Sequence, residues 1–270
     1  MTLTLTLREA TGPEVDLSPL VPEALAAKGR DEIEAIALRA GNRRLPMREL
    51  FEVSAGDAAR IVVRNSSGRL IRVGAGMRSG AIEVQGSCGA YAGAGMRGGR
   101  LTVEGDAGEC AGSAMRAGSI EIRGNAGDFL GGALAGDRQG MRGGAIVVRG
   151  SAGERSGDRM RRGLILIAGD AGAYCGSRML AGTILVKGKV GESPGFALRR
   201  GSLLLAKPPA EIPPGFQESG EHPFLFLVLL ESQLRAGGAP LADFAPLPRR
   251  ARRYCGDLAL GGFGEILVAV

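Results

Sequence analysis

Tryptophan is absent from this chain of 270 residues, and histidine occurs once, at His222. A single histidine argues against a histidine-rich metal site and against a Ser-His-Asp triad built from this chain alone. Lysine is scarce as well, so nearly all of the positive charge is arginine, and the formal net charge is +6. We therefore expect no catalytic residues and no metal site, and we expect an acidic partner.

The chain also lacks closely spaced cysteines and long apolar runs. Cys88, Cys110, Cys175 and Cys255 lie too far apart for paired metal ligands or a disulfide framework, and the first three are expected to be small buried residues. The N-terminus has no signal-peptide pattern, and the longest apolar run, residues 224–230, is far shorter than the ~20 residues of a membrane span. We expect a cytoplasmic protein that has no membrane segment.

Glycine, in contrast, is abundant, and it recurs in register. Each unit of the chain reads G-x-I-x-V-x-G-x-x-G-x-x-x-G-x-x-M-x-x, with a step of 19 residues that is interrupted once by a step of 26. A flexible linker does not keep such a register, and collagen would need glycine at every third position. The methionine position is occupied by Met77, Met96, Met115, Met141, Met160 and Met179, and then by Leu198.

Within each unit, five residues alternate as a β-strand does. The first full unit places Ile82 and Val84 on one face, and the last places Leu203 and Leu205 there. Nineteen residues are too few for a strand and a returning helix, so each unit predicts one coil of a stack. The expected fold is mainly β: a right-handed parallel β-helix, a solenoid of about seven coils of 19 residues, with a small N-terminal α/β cap and a C-terminal helix.

We divide the chain into three regions. Residues 1–56 form the N-terminal cap, and residues 57–206 form the parallel β-helix with its G-x-x-G-x-x-x-G repeats. Residues 207–270 contain a proline-rich connector, a packing helix and a C-terminal strand. The extra residues 132–140 lie between two coils and are expected to bulge out as a loop.

Two helices are predicted outside the repeats. The first runs from Asp31, with a capping box to Glu34, to Gly41. The second covers residues 223–236, and His222, directly before it, is expected to help begin the helix. Its apolar character on nearly every side predicts that it is buried. It, or another subunit, covers the outward strand positions of the later coils, and we favour the helix because it follows the last coil directly. Those outward positions change from Glu83, Thr102 and Glu121 to Val147, Leu166, Leu185 and Leu204.

The position after the methionine is arginine in most units. Stacked coils set these charges about 5 Å apart, which costs roughly 0.8 kcal/mol per pair even in water and favours a bound anion. Carboxylates suit the planar guanidinium, whereas nucleic acid is not expected because no aromatic residue is interleaved. In the alternative, the arginines pair with acidic side chains of neighbouring coils or partners and bind no ligand. The candidate residues are Arg78, Arg97, Arg116, Arg142, Arg161, Arg159, Arg178 and Arg199.

Other repeated positions are expected to be structural. The methionines are interpreted as core packing at a turn rather than as ligands. Asp106, Asn125 and Asp170 follow equivalent glycines, and we expect their side chains to bind the backbone at the coil corners.

Two sets of motifs resemble known families. GSCGAYAG at residues 86–93 and GDAGECAG at residues 105–112 resemble the C-terminal β-helix of the glutamate synthase large subunit. Together with LFEV at 50–53, PPGF at 213–216 and RYCGDLALGGFGEILV at 253–268, they look more like the C subunits of the formylmethanofuran dehydrogenase and bacterial formyltransferase/hydrolase complex family. This resemblance extends over nearly the whole chain.

The resemblance implies a non-catalytic scaffold, without activity alone, in a complex of one-carbon metabolism. Such complexes transfer a formyl group between tetrahydromethanopterin and a methanofuran-type carrier and release formate. The implied partners are a zinc amidohydrolase-like subunit, a formyltransferase subunit and a molybdopterin-enzyme-like subunit, which in archaeal relatives holds molybdenum or tungsten. This chain itself would bind no cofactor. The carrier of the family bears glutamate residues, a possible ligand for the arginines, and the alternative is an architectural spacer of the glutamate synthase type.

Overall fold

The computed structural model describes residues 2–54 and 56–270. In these residues the chain is mainly β, with two sheets and few, short helices. No helix among them is long and apolar enough to cross a membrane. The strands before the repeats are β1 (Thr2–Leu7), β2 (Val15–Asp16), β3 (Ala37–Ala40), β4 (Arg43–Pro46) and β5 (Phe51–Ser54). The helices there are α1 (Pro22–Leu25), α2 (Arg30–Glu34) and α3 (Met47–Leu50).

The helix predicted from Asp31 to Gly41 is wrong beyond its first turn. Helix α2 begins one residue earlier, because the Glu32 carboxylate accepts the Gly29 N–H at 2.8 Å and so caps the helix. The chain then becomes β3, in which buried Leu38 and Ala40 alternate with exposed residues. Gly41, at φ +59°, forms the turn into β4 instead of ending a helix.

The repeats form consecutive parallel strands in a sheet of thirteen strands. Each strand pairs with the equivalent strand of the next repeat, so Ile82 lies beside Leu101, and Leu101 beside Ile120. The chain just before the first full unit joins the same sheet, since Ile61 pairs with Ile82. The repeat strands in this sheet are β6 (Asp57–Ser66), β8 (Ala81–Gly86), β9 (Arg97–Val103), β10 (Ala117–Ile122), β11 (Arg142–Val148), β12 (Arg162–Ile167), β13 (Thr183–Val186) and β14 (Arg200–Leu205). Strand β7 (Leu70–Ile71) belongs to the second sheet, whose order is β4-β3-β2-β7.

Equivalent residues form rows outside these strands as well. Cys88 forms a parallel bridge to Ala107, and this series of bridges continues through one residue of each repeat to Val190. From Met96 onward, the backbone N–H of the residue after each methionine donates to the carbonyl of the methionine one repeat earlier, as Arg97 does to Met77 at 2.7 Å. The prediction that equivalent positions form rows is therefore confirmed. The inward Ile, Val and Leu side chains and all the methionines of the repeat are buried.

Two different constraints place glycine at the corners. Gly112 has φ +65°, a left-handed conformation that side chains disfavour. Gly108 has no such angle, but a Cβ there would lie 2.7 Å from the carbonyl carbon of Gly89, so the backbones of adjacent coils touch. The predicted corner hydrogen bonds are confirmed: a carboxylate oxygen of Asp106 accepts the Asn125 N–H at 2.6 Å, and Asp170 accepts the Lys189 N–H at 2.6 Å.

The last region extends the sheet beyond the repeats. Its elements are β15 (Gln217–Pro223), α4 (Leu225–Ala236), β16 (Arg250–Gly256) and β17 (Phe263–Ala269). The predicted final strand is confirmed as β17, which pairs parallel to β14, while β16 and β15 follow antiparallel and were not predicted. His222 does not begin the helix, because it lies in β15, where its Nε2 bonds to the Ser219 carbonyl at 2.7 Å.

Helix α4 covers the outward face of the later coils. Leu227, Leu230 and Leu234 form one apolar cluster with the outward residues Val147, Leu166, Leu185 and Leu204, so the predicted cover by the helix is confirmed. The expectation that the helix is buried on all sides is wrong. Its opposite face leaves Leu225 72% and Leu229 61% exposed, since only one face of the helix lies against the sheet.

Candidate functional site

The arginine row follows the methionines along one side of the stack. We use this name for Arg78, Arg97, Arg116, Arg142, Arg161 and Arg199. From Arg97 onward, the backbone N–H of each donates to the methionine carbonyl one repeat earlier at 2.6 to 2.9 Å. These bonds hold successive arginines at the spacing of paired strands, about 4.8 Å. Leu180 occupies the same position between Arg161 and Arg199 and interrupts the row.

Carboxylates of the described residues do not neutralise the guanidinium groups of the arginine row, although the Glu23 carboxylate accepts the backbone N–H of Arg78 at 2.8 Å. Within residues 2–54 and 56–270, none of its guanidinium groups forms an ion pair with a carboxylate. The Nε of Arg142 is buried and has no hydrogen-bond partner among these residues. Pairing with Asp and Glu of neighbouring coils therefore does not account for the row, and its charge is available to an anion or to a partner protein.

A groove of about 600 Å³ lies where the row approaches the C-terminal end of the stack. Arg138, Arg159, Arg178 and Arg199 line this arginine groove. The apolar part of the lining is Leu180, Ala197 and Leu260. The structure thus brings three of the predicted arginines together in one groove, whereas Arg78, Arg97, Arg116, Arg142 and Arg161 lie along the row outside its lining.

Arg138 was not predicted as a site residue. It lies in the insertion, residues 132–140, which turns back over the stack and forms one wall of the groove. Arg159 fixes this loop, because its Nη1 donates to the Asp137 carbonyl at 3.0 Å and its own carbonyl accepts the Gly140 N–H at 2.9 Å. The single break in the repeat, which carries an arginine, is the signal that could have found Arg138.

Asp158 is a buried carboxylate beside the groove, and sequence reasoning missed it too. The residue is 3% exposed. Its Oδ1 accepts the Ser177 hydroxyl at 2.6 Å and the Arg178 Nε at 2.9 Å, while Arg178 Nη2 lies at 2.8 Å. Arg159 approaches its Oδ2 at 3.9 Å. The carboxylate therefore holds the Arg178 guanidinium in a fixed orientation at the groove wall.

The groove carries an excess of positive charge, because four arginines line it and Asp158 offsets only one unit of that charge. Guanidinium groups with free N–H donors bind carboxylates in a planar, bidentate way. The volume lies in the range of organic-ligand pockets, about 300–1,000 Å³. The arrangement can hold and orient an anion. A guanidinium has N–H donors and no acceptor, so these side chains offer no general base.

The cysteines do not supply a reactive group at this site. Burial raises the pKa of the Cys88 and Cys175 thiols to about 12, which keeps both neutral. Cys110 is only half-buried, contrary to expectation, because its side chain lies at the surface of a corner and not in the interior row. Within residues 2–54 and 56–270, no three His, Cys, Asp or Glu side chains come together as a metal site.

The fold and the groove define a class of protein: a repeat-built β protein with a row of arginines that leads to an arginine-lined groove. No family model matches the sequence. Among solved structures, the chain superposes with a TM-score of 0.92 on a chain of the formyltransferase/hydrolase complex (FhcABCD) from Methylorubrum extorquens in complex with methylofuran. The two are 41% identical, and the match covers 99% of each.

Two curated relatives agree with this match. The C subunit of the formyltransferase/hydrolase complex Fhc from Methylorubrum extorquens is 42% identical over 86 residues, which cover 32% of this chain and 32% of the relative. The C subunit of tungsten-containing formylmethanofuran dehydrogenase 2 from Methanococcus maripaludis is 32% identical over 91 residues, covering 33% and 34%. The matched segments thus span about a third of these relatives. The chain belongs to the family of C subunits of formyltransferase/hydrolase complexes and formylmethanofuran dehydrogenases.

Proposed function

We propose that this chain is the non-catalytic C subunit of a formyltransferase/hydrolase complex of one-carbon metabolism. Its similarity over 99% of its length to a chain of FhcABCD is the observation that carries the proposal. The proposed partners are the amidohydrolase-like subunit with zinc, the formyltransferase subunit and the molybdopterin-enzyme-like subunit. The proposed reaction of the whole complex is formyl transfer between tetrahydromethanopterin and a methanofuran-type carrier, with formate release.

We infer that the stack is a right-handed parallel β-helix, flanked by the cap of residues 1–56 and the region 207–270. The rows of paired strands, corner bridges and methionine carbonyls support one coil per repeat. A stack of coils is stiff along its axis, because every coil bonds to the next through its backbone. Such a body suits a scaffold that holds other subunits at a fixed separation.

The exposed face of α4 supports the role in assembly. Leu225, Phe226, Val228 and Leu229 are neighbouring apolar side chains that this chain leaves exposed to solvent. Contiguous apolar patches on a protein surface mark sites of contact with other proteins. This face is the surface of the scaffold that we assign to a partner subunit.

The arginine row, in this proposal, attracts the acidic tail of the carrier. FhcABCD was crystallised with methylofuran, and the row offers unpaired guanidinium groups along the described part of the stack. Electrostatic attraction of this kind raises the rate and strength of association and weakens as salt is added. The catalytic centres then lie in the other subunits, and this chain guides the carrier.

Alanine at Arg97, Arg116 and Arg142 tests this role in the reconstituted complex. With about 0.2–1 kcal/mol for each of three surface ion pairs, carrier binding should weaken roughly 3- to 160-fold at low salt and less at high salt. The matched control places alanine at Arg39 of β3 and at Arg43 and Arg44 of β4. It removes the same charge away from the row and should bind normally. Unchanged affinity in the first variant discards the carrier role.

The second candidate function is a purely architectural spacer, which the exposed face of α4 also favours. In that case partner subunits cover the arginine row. Alanine at the same row positions would then release a subunit from the complex instead of weakening carrier binding. Size-exclusion chromatography of the reconstituted complex separates the two candidates.

A further inference from the structure

We propose that the arginine groove is a specific binding site for a chain that bears several carboxylates, and that Asp158 is the positioning residue that presents Arg178 to it. This inference rests on the proposed function, since it identifies the point at which the acidic ligand is held. The arginine row attracts charge over its whole length, whereas the groove is a concave place with its own walls.

Three departures from the repeat meet at the groove. The insertion, residues 132–140, contributes Arg138. The arginine row is interrupted there by Leu180, which supplies an apolar surface between charged neighbours. The turn before β17 contributes Leu260. A regular coil would provide none of these groups, so the groove is built from irregular segments that converge on one place.

Arg159 and Arg178 occupy an unusual position in their coils. Both have φ +53°, in the left-handed region, where side chains are disfavoured. Earlier coils place Gly76, Gly95 and Ala114 at the equivalent position with the same sign of φ. The left-handed angle belongs to this corner in other coils as well, since Ala197 also has φ +54°, but only Arg159 and Arg178 place a long charged side chain there, and both line the groove.

Asp158 acts on the ligand through Arg178. The carboxylate is buried and binds both Ser177 Oγ and two nitrogens of the Arg178 guanidinium. A guanidinium has five N–H donors, so the donors not bound to Asp158 remain for a ligand carboxylate. Because Asp158 already holds the plane of the Arg178 guanidinium, ligand binding removes less conformational freedom from that side chain.

The lining indicates the chemical class of the ligand. Arg159, Arg178 and Arg199 lie on successive coils, which are about 4.8 Å apart, so they can pair with successive carboxylates on a flexible chain. Leu180 and Leu260 offer apolar contact to the methylene groups between those carboxylates. A chain of glutamate residues has both features, and it comes either from the tail of a carrier or from an acidic segment of a partner subunit.

Binding of a fluorescent hexaglutamate peptide to the full chain, followed by anisotropy, tests the site. Arg138→Ala and Arg199→Ala remove side chains without ion-pair partners in the described residues, and each should weaken binding roughly 3- to 10-fold. Inorganic phosphate and free glutamate should compete poorly, because each reaches only part of the groove. If both variants bind the peptide as the unmodified chain does, the groove is not the site.

Asp158→Asn distinguishes positioning from simple charge. Removal of a negative charge should strengthen anion binding if only net charge matters, whereas loss of the Arg178 support should weaken it by at least about 3-fold. Glu154→Gln removes an equal charge outside the groove and should not weaken binding. In the Asp158→Asn, Arg178→Ala double variant, the loss should match that of Arg178→Ala alone. Equal or tighter binding by Asp158→Asn overturns the positioning role.

The same peptide separates this inference from the proposed function. If alanine at Arg97, Arg116 and Arg142 weakens binding while the groove variants do not, the groove inference fails and the proposed function stands. If neither set has an effect, the groove inference and the carrier role of the arginine row both fail, and the architectural spacer remains. Hexaglutamate that binds the free chain and the assembled complex alike supports the carrier as the source. Hexaglutamate that binds only the free chain supports a partner segment that fills the groove in the complex.

Discussion

The close stacking of the coils can be tested at a single column of glycines. A Cβ on Gly108 would lie 2.7 Å from the Gly89 carbonyl carbon and 2.8 Å from the Ala90 nitrogen. Both are backbone atoms, so Gly108→Ala must push two coils apart. Overpacking of this kind costs about 1–3 kcal/mol, and the reduced entropy of the unfolded chain returns about 0.4–1 kcal/mol. We expect a net loss of about 1–2 kcal/mol in the free energy of unfolding.

The matched control is Gly68→Ala, at the start of the same column. Gly89 stacks on Gly68, but Gly68 has no atom within 4 Å of an added Cβ and no left-handed φ. We therefore expect Gly68→Ala to leave stability unchanged or raise it by about 0.4–1 kcal/mol. Urea titrations followed by circular dichroism measure both values. If Gly108→Ala is as stable as Gly68→Ala, the coils do not stack as described.

Two further predictions concern the buried thiols and the exposed helix face. Because burial raises the folded pKa of Cys88 and Cys175, stability is lost as pH rises above about 9, by on the order of 1 kcal/mol per thiol at pH 10. Alanine at both positions should reduce this loss of stability between pH 8 and pH 10, as measured by urea titrations. An equal loss in the variant and in the unmodified chain would refute the prediction. Serine at Leu225 and Leu229 should leave unfolding unchanged but prevent assembly, and a complex of normal size on chromatography would contradict the assigned interface.

The repeat made the larger sheet predictable, because one rule decides the environment of every equivalent residue. Once Met77 and Met96 occupy the same position, their burial and the pairing of Ile82 with Leu101 follow together. The same logic predicted the cover of Leu166 and Leu204 by the C-terminal helix, since apolar outward residues need a partner. A pattern that recurs in every repeat is strong evidence for a fold, because a chance match in one repeat is not expected to recur in the next.

The parts that departed from the repeat were not predictable in the same way. The capping pattern at Asp31 contained no information on helix length, and the alternation of Leu38 and Ala40 was the better signal. Strand β16 is basic and lacks alternating apolar residues, because it lies near the edge of the sheet, where charge is tolerated. The positions of Arg138 and Asp158 at the groove depend on how the insertion, residues 132–140, folds. The periodicity of the sequence does not predict the conformation of this insertion.

A structure of the assembled complex with its carrier bound tests the central claim most directly. We predict density for successive carboxylates beside Arg159, Arg178 and Arg199, with the Asp158 contact to Arg178 intact. A carrier that is fully ordered elsewhere, with an apolar partner surface seated over the arginine groove, would contradict this claim.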